Sequence, residues 1–203
     1  MLDRDQEWHA ANDSLIGDQR DRMLTWAGQS VESMMQELTH GVDKPRWAEK
    51  TPAHVLHIRL IHEVFPSAQI IHIIRDGRAV VRSLQNMTWT PQKIRWSTRC
   101  WLDNVTTGRD SGKLLPDDCY HEIRYEQLTK DPETSVESIC EFLSEPFTPQ
   151  MLQFNQAKNN SWSKEQKPIS STPINKHREL NKLEKFVFAR MATPLMKELG
   201  YHC

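Results

Sequence analysis

The chain has 203 residues, 37% of them hydrophobic and 26% charged, with a formal net charge of -1. This is an ordinary globular balance, long enough for one domain with a real core. It excludes a global electrostatic pull toward nucleic acid or an anionic membrane, although 26 Lys and Arg leave room for a local basic site. No run approaches the ~18 apolar residues of a membrane span. The acidic, polar start MLDRDQEWHAAND does not read as a secretory signal. Cys100, Cys119, Cys140 and Cys203 form no C-x-x-C pair and lie near no His cluster at zinc spacing. They read as thiols of a reducing compartment, and no metal is expected.

The first forty residues predict a helix. Asn12, Asp13 and Ser14 offer N-caps, and Ile16, Met23, Ala27, Val31, Met34, Met35 and Leu38 recur on one face until Gly41. Trp47-Ala48 reads as a short strand running into the loop Glu49-Lys50-Thr51-Pro52, with Pro52 suited to open the next helix. That helix would carry Val55, Leu56, Ile58, Leu60, Ile61 and Val64. After Pro66-Ser67, the run Gln69 to Ile74 is β-branched and nearly continuous, which predicts a parallel strand covered on both faces. Arg75-Asp76-Gly77 ends it, and Arg78 to Asn86 predicts a helix. A helix over about Pro91 to Thr107 follows, then a strand over Cys119 to Tyr125. Glu126-Gln127-Leu128 turns away from that strand. Asp131-Pro132 opens a helix through Leu143, and a short helix spans Pro149 to Ala157. Residues 158–176 are polar and predict an exposed, mobile loop. A final helix, about Glu179 to Leu199, would carry Leu183, Phe186, Val187, Met191, Leu195 and Leu199, with Gly200 as its stop.

The chemistry concentrates where the first clear strand meets its helix. Open α/β sheets bind ligands at the carboxyl edge of their strands. Arg75 at that edge offers a planar fork suited to phosphate. The following helix would present free N–H groups to the same crevice, and Ser83, eight residues after Arg75, adds a hydroxyl. Asp76 is expected to orient Arg75, and His72 to be a packed core histidine. Lys50, at the end of the Trp47 segment, could neutralise charge on a transferring group.

The order W-A-E-K-T-P, helix, F-P-S-A-Q-I-I-H-I-I-R-D-G-R-A-V-V-R-S-L, tryptophan-containing helix, I-R-Y-E-Q-L-T-K-D-P resembles the sulfotransferase superfamily, nearest to its tyrosylprotein and bacterial branch. The resemblance runs from Trp47 to Leu143, with a weaker echo in the terminal L-G-Y. It implies an α/β fold, a three-layer P-loop-like parallel sheet flanked by helices and N-terminally incomplete. Within one domain over 1–203, it implies a helical lead-in (1–46), a nucleotide 3′-phosphate half (47–145) and a C-terminal helix (178–203). It also implies 3′-phosphoadenosine 5′-phosphosulfate (PAPS) as co-substrate, with Arg75 and Ser83 on the 3′-phosphate and Lys50 as the catalytic lysine near the sulfuryl group. Tyr125 would stand at the nucleotide edge. Ser170, Ser171 and Thr172 would belong to a loop over the cofactor, with Ser171 as its binding residue.

The family's opening strand and Gly/Ser/Thr/Arg-rich loop, which wraps the 5′-phosphosulfate, has no counterpart before Trp47, where Gly17, Gly28 and Gly41 stand isolated. The segment Gly108 to Leu114 has three residues between its glycines and Leu after its Lys, so it reads as a surface turn. Glu7, His9 and Glu32 match a catalytic base by type only. A shortened enzyme and a non-catalytic nucleotide- or partner-binding remnant both fit, and a P-loop kinase is disfavoured. The acceptor (protein tyrosine, carbohydrate or small molecule) is not legible, although Trp89, Trp96 and Trp162 could line its pocket. A homodimer stays open. The location is cytoplasmic for the chain as written, or the Golgi lumen if an anchor precedes it.

Overall fold

The computed structural model describes residues 4–39, 46–152 and 180–202, with side chains from residue 17 onward. The chain forms two compact units, 1–68 and 69–203.

In the first unit, helix α1 runs Arg4–Leu38, followed by a 3-10 helix Pro52–His57 and α2 Ile58–Val64. Asn12, Asp13 and Ser14 lie inside α1 rather than before it. Such residues cost a helix interior only a few tenths of a kcal/mol each, too little to stop one. Ala27, Val31 and Met35 of the expected face are partly covered, but Met23, Met34 and Leu38 are 70%, 54% and 71% exposed. Trp47-Ala48 is not a strand. Among the described residues the segment has no strand partner, and Trp47 packs edge-on against Phe65, their ring centres 5.9 Å apart.

The second unit is built on two parallel strands, β1 Ile70–Ile74 and β2 Tyr120–Arg124, in register Ile70↔Tyr120 through Ile74↔Arg124. Between them come α3 Gly77–Gln85 and α4 Ile94–Gly112. After β2 follow α5 Tyr125–Lys130, α6 Pro132–Leu143 and α7 Lys182–Glu198. Strand alternation puts Ile70, His72, Ile74, Tyr120, Glu122 and Arg124 on one face. There Ile74 joins Val81, Trp101, Val105, Leu180, Phe188, Ala192, Met196 and Leu199 in the core, under α3, α4 and α7. On the other face His121 stacks on Phe142 of α6, 5.1 Å between ring centres. Helices on both faces of a parallel sheet are the expected layering.

Two expectations are corrected here. Among the described residues α6 covers the second face only over β2, so Ile73 is 49% exposed rather than enclosed. Gly108 and Gly112 are not a surface turn but the last turns of α4, both buried, with Gly112 against the Tyr120 ring. Leu183 and Phe186 are 71% and 63% exposed. The apolar positions of α7 fit two overlapping stripes, and the buried one is Phe188, Ala192 and Met196. The part of the Pro149 helix that is described is a 3-10 turn, Pro149–Leu152.

Helix α7 starts at an Asn181–Glu184 capping box and ends in a Schellman motif. The N–H of Gly200 donates to the Lys197 carbonyl at 3.0 Å and that of Tyr201 to Met196 at 2.8 Å. Gly200 holds φ +76°, so Gly200→Ala should destabilise the fold by roughly 1–2 kcal/mol. A thermal unfolding midpoint several degrees below wild type is the expected result.

Candidate functional site

Because Ile74 and Arg124 are register partners, the chain leaves the sheet side by side at Arg75 and Tyr125. The Arg75 guanidinium lies over the Tyr125 ring, 4.4 Å from its centre. Cation–π contact with that ring fixes the position of the fork.

The peptide that follows Arg75 is held from both edges. Its carbonyl accepts from the Trp101 indole N–H at 3.2 Å, and the Asp76 N–H donates to Glu126 Oε1 at 2.9 Å. A trans peptide points these two groups in opposite directions, so Trp101 and Glu126 fix its plane between them. Gly77 comes next because nothing larger fits: a Cβ there would stand 2.7 Å from the Trp101 ring. The second carboxylate oxygen of Glu126 accepts from the Tyr201 hydroxyl at 2.8 Å. Burial, then that bond to Glu126, pushes the Tyr201 phenol well up, so it remains a donor at neutral pH.

Asp76 does not serve Arg75 in the way the sequence suggested. Its carboxylate caps α3 by accepting the Arg78 backbone N–H at 2.8 Å, and it takes the Arg78 side chain at 3.0 Å from Nε and 2.6 Å from a terminal nitrogen. The N–H groups of Ala79 and Val80 go to the Asp76 carbonyl at 3.0 and 3.1 Å. The start of α3 is thus capped internally, because Asp is among the strongest N-caps. The free helix donors expected toward the crevice are mostly taken. Arg78 in turn neutralises a carboxylate that would oppose an anion nearby.

Ser83 is half-buried on α3, six residues beyond its first residue, which is ~9 Å along the axis. Lys50 belongs to the first unit, exposed in the irregular segment before Pro52. There Glu49 accepts from the Thr51 N–H at 3.1 Å and contacts His54 at 2.6 Å. Ser170, Ser171, Thr172 and Trp162, with the whole 158–176 loop, lie outside the described residues. Trp89 and Trp96 are 78% and 38% exposed. Among the described residues no group of His, Cys, Asp and Glu could hold a metal, and no helix is long and apolar enough to cross a membrane.

Away from this edge the sheet face carries alternating charge. Arg109 binds Glu122 at 2.8 Å and also Glu198, and Arg124 lies 3.4 Å from Glu122 and 5.6 Å over the Tyr201 ring. A cleft of about 230 Å³ opens at the far end of β2, beside Arg109, Lys113 and Tyr120. His72 shares a 2.6 Å hydrogen bond with the Tyr120 hydroxyl. Trp101, Glu126 and Tyr201 were not singled out by their spacing. The resemblance touched each of them only as part of a segment: Trp101 in the tryptophan-containing helix, Glu126 in I-R-Y-E-Q-L and Tyr201 in the terminal L-G-Y.

Burial, only partly offset by Glu122, holds the His72 imidazole below its ordinary value of 6.5. The unfolded chain therefore takes the proton more readily, and stability is lost as pH falls below that ordinary value. Between about pH 7.5 and 5.5, the melting midpoint of wild type should fall more than that of His72→Gln. Equal falls would remove His72 from the account.

The geometry defines an α/β protein with a basic, clamped turn at the carboxyl end of its parallel strands. Solved sulfotransferase domains share the fold. The domain from the curacin biosynthetic pathway superposes with a TM-score of 0.59 at 18% identity, covering 86% of this chain and 68% of that one. The domain from the Synechococcus PCC 7002 olefin synthase gives 0.58 at 20% identity, covering 71% and 57%. The profile of the sulfotransferase family matches residues 3–149, and the chain belongs to that family. It is 28% identical over 192 residues to protein-tyrosine sulfotransferase A of Caenorhabditis elegans, covering 85% of this chain and 50% of the relative. Over 121 residues it is 30% identical to an omega-hydroxy-beta-dihydromenaquinone-9 sulfotransferase of Mycobacterium tuberculosis, covering 52% and 31%. The chain therefore spans half or less of the length of these two relatives.

Proposed function

We propose that the clamped turn is the 3′-phosphate grip for PAPS, and that the chain is the part of a sulfuryl-transfer enzyme that holds this nucleotide. The observation that carries the reading is the Arg75 guanidinium, seated over Tyr125 at the carboxyl end of two parallel strands. The donor set suits the group: a fixed planar fork, a hydroxyl further along α3 at Ser83, and a nearby carboxylate, Asp76, already neutralised by Arg78.

In this reading Arg75 and Ser83 hold the 3′-phosphate and Tyr125 fixes the arginine at the nucleotide edge. Lys50 offsets charge near the sulfuryl group, and Ser171 belongs to a loop over the nucleotide. PAPS itself supplies the activated sulfuryl group. The protein's share is to orient it, stabilise the bridging oxygen and remove the acceptor's proton. Both named relatives act, by their names, on a hydroxyl-bearing acceptor, a protein tyrosine in one and an omega-hydroxy compound in the other. We take a hydroxyl acceptor for this chain as well.

A non-catalytic nucleotide binder is the second reading, favoured by one observation. Residues 4–38 form a single helix rather than a strand, a glycine-rich loop and a helix. Without positioned donors on the 5′ side, a rate lower by orders of magnitude is expected of these 203 residues. A sulfate-transfer assay on the chain separates the two readings.

The grip is tested by titration calorimetry with adenosine 3′,5′-bisphosphate and with adenosine 5′-monophosphate. Arg75→Ala should weaken the bisphosphate about 100-fold and Ser83→Ala about tenfold, with little change for the monophosphate. Unchanged bisphosphate binding by Arg75→Ala, or preference for ATP–Mg²⁺, would overturn the assignment.

A further inference from the structure

Consecutive residues of α5 hold the same arginine in two ways. Tyr125 carries its side chain, at 4.4 Å, and Glu126 holds the peptide that follows it, through the Asp76 N–H at 2.9 Å. Glu126 is half-buried and uses both oxygens on segments far away in sequence, the second on the Tyr201 hydroxyl at 2.8 Å. Tyr201 is delivered there by the Schellman turn at Gly200. A carboxylate beside an anion site opposes the anion electrostatically. Its value at this place is therefore geometric, because it orients a backbone group that a neutral side chain would hold less firmly.

We propose that Glu126, steadied by Tyr201, is the positioning residue of the phosphate grip, fixing the Arg75–Asp76 peptide so that the guanidinium and α3 leave the turn in the binding geometry. This rests on the 3′-phosphate reading above. Four physical steps support it. The Trp101 indole and the Glu126 carboxylate bracket one planar peptide unit, so neither can be lost without freeing its rotation. That plane sets both where the arginine side chain departs and where α3 begins. Gly77, where a Cβ would stand 2.7 Å from the Trp101 ring, lets that ring close directly over the turn. The Tyr201 hydroxyl restrains the carboxylate itself, so the restraint does not depend on one long side chain alone.

The full chain and its variants Glu126→Ala, Glu126→Gln and Tyr201→Phe would be titrated with adenosine 3′,5′-bisphosphate and adenosine 5′-monophosphate. Thermal midpoints and the hydrogen exchange of the Asp76 amide would be measured alongside. Glu126→Ala should weaken the bisphosphate about 10- to 100-fold and the monophosphate less than about twofold. Its Asp76 amide should exchange faster. Glu126→Gln, whose carbonyl still accepts from Asp76, should recover to within about threefold of wild type, and Tyr201→Phe should lose about threefold. A folded Glu126→Ala that keeps its preference for the bisphosphate overturns the proposal. So does a loss that falls equally on both nucleotides, which marks a merely structural role. Should Glu126→Ala fail to fold, Tyr201→Phe decides, and unaltered preference with an unaltered Asp76 amide overturns it. A wild type with no Arg75-dependent preference sinks the phosphate reading and this proposal with it. The two failures are thus distinguished by Arg75→Ala.

Discussion

One peptide unit, between Arg75 and Asp76, is the constraint on which the site depends. It lies where β1 stops after the buried Ile74 and α3 starts at Gly77, with the half-buried Arg75 between them. The free backbone there would sample many arrangements, and ordering it costs roughly 1–2 kcal/mol per residue. Trp101 and Glu126 meet that cost from outside the turn, one on each edge of the peptide. Trp101 also belongs to the core with Phe188 and Met196, so the grip is fixed to the most buried part of the second unit. The arrangement is therefore set by packing as much as by charge.

Charge is managed locally rather than by net excess. The chain is nearly neutral, yet Arg75, Arg78, Arg109 and Arg124 all lie on one side of the sheet or at its edge. Arg78 is tied to Asp76, and Arg109 and Arg124 share Glu122. Such pairs contribute little to stability where solvent reaches them. Their effect is to tie up the neighbouring cations locally, while the Arg75 guanidinium lies on the Tyr125 ring.

The sequence revealed the parts governed by local rules. The isoleucine run marks β1, Asp131-Pro132 opens α6, and the eight-residue spacing of Arg75 and Ser83 survives as a strand tip and a place two turns into α3. Features that depend on distant partners were hidden. Nothing near Trp101 announces that its indole will meet the Arg75 carbonyl, and nothing near Tyr201 announces Glu126. Asp76 was misread because a carboxylate next to an arginine suggests a pair, whereas its position just before α3 makes it a cap. The apolar residues of α7 do not by themselves select a face, and Phe188 is buried because it packs with Trp101 in the core. Asn12-Asp13-Ser14 misled in the opposite way, since residues good at starting helices are also tolerated within one.

The account turns on whether the arginine held by this clamp meets the nucleotide's 3′-phosphate. A crystal structure of the chain with adenosine 3′,5′-bisphosphate tests that most directly. The account predicts the 3′-phosphate on the Arg75 guanidinium, with the Arg75–Asp76 peptide still bracketed by Trp101 and Glu126. A nucleotide bound elsewhere, with Arg75 remaining on Tyr125 and no phosphate against it, would contradict the account.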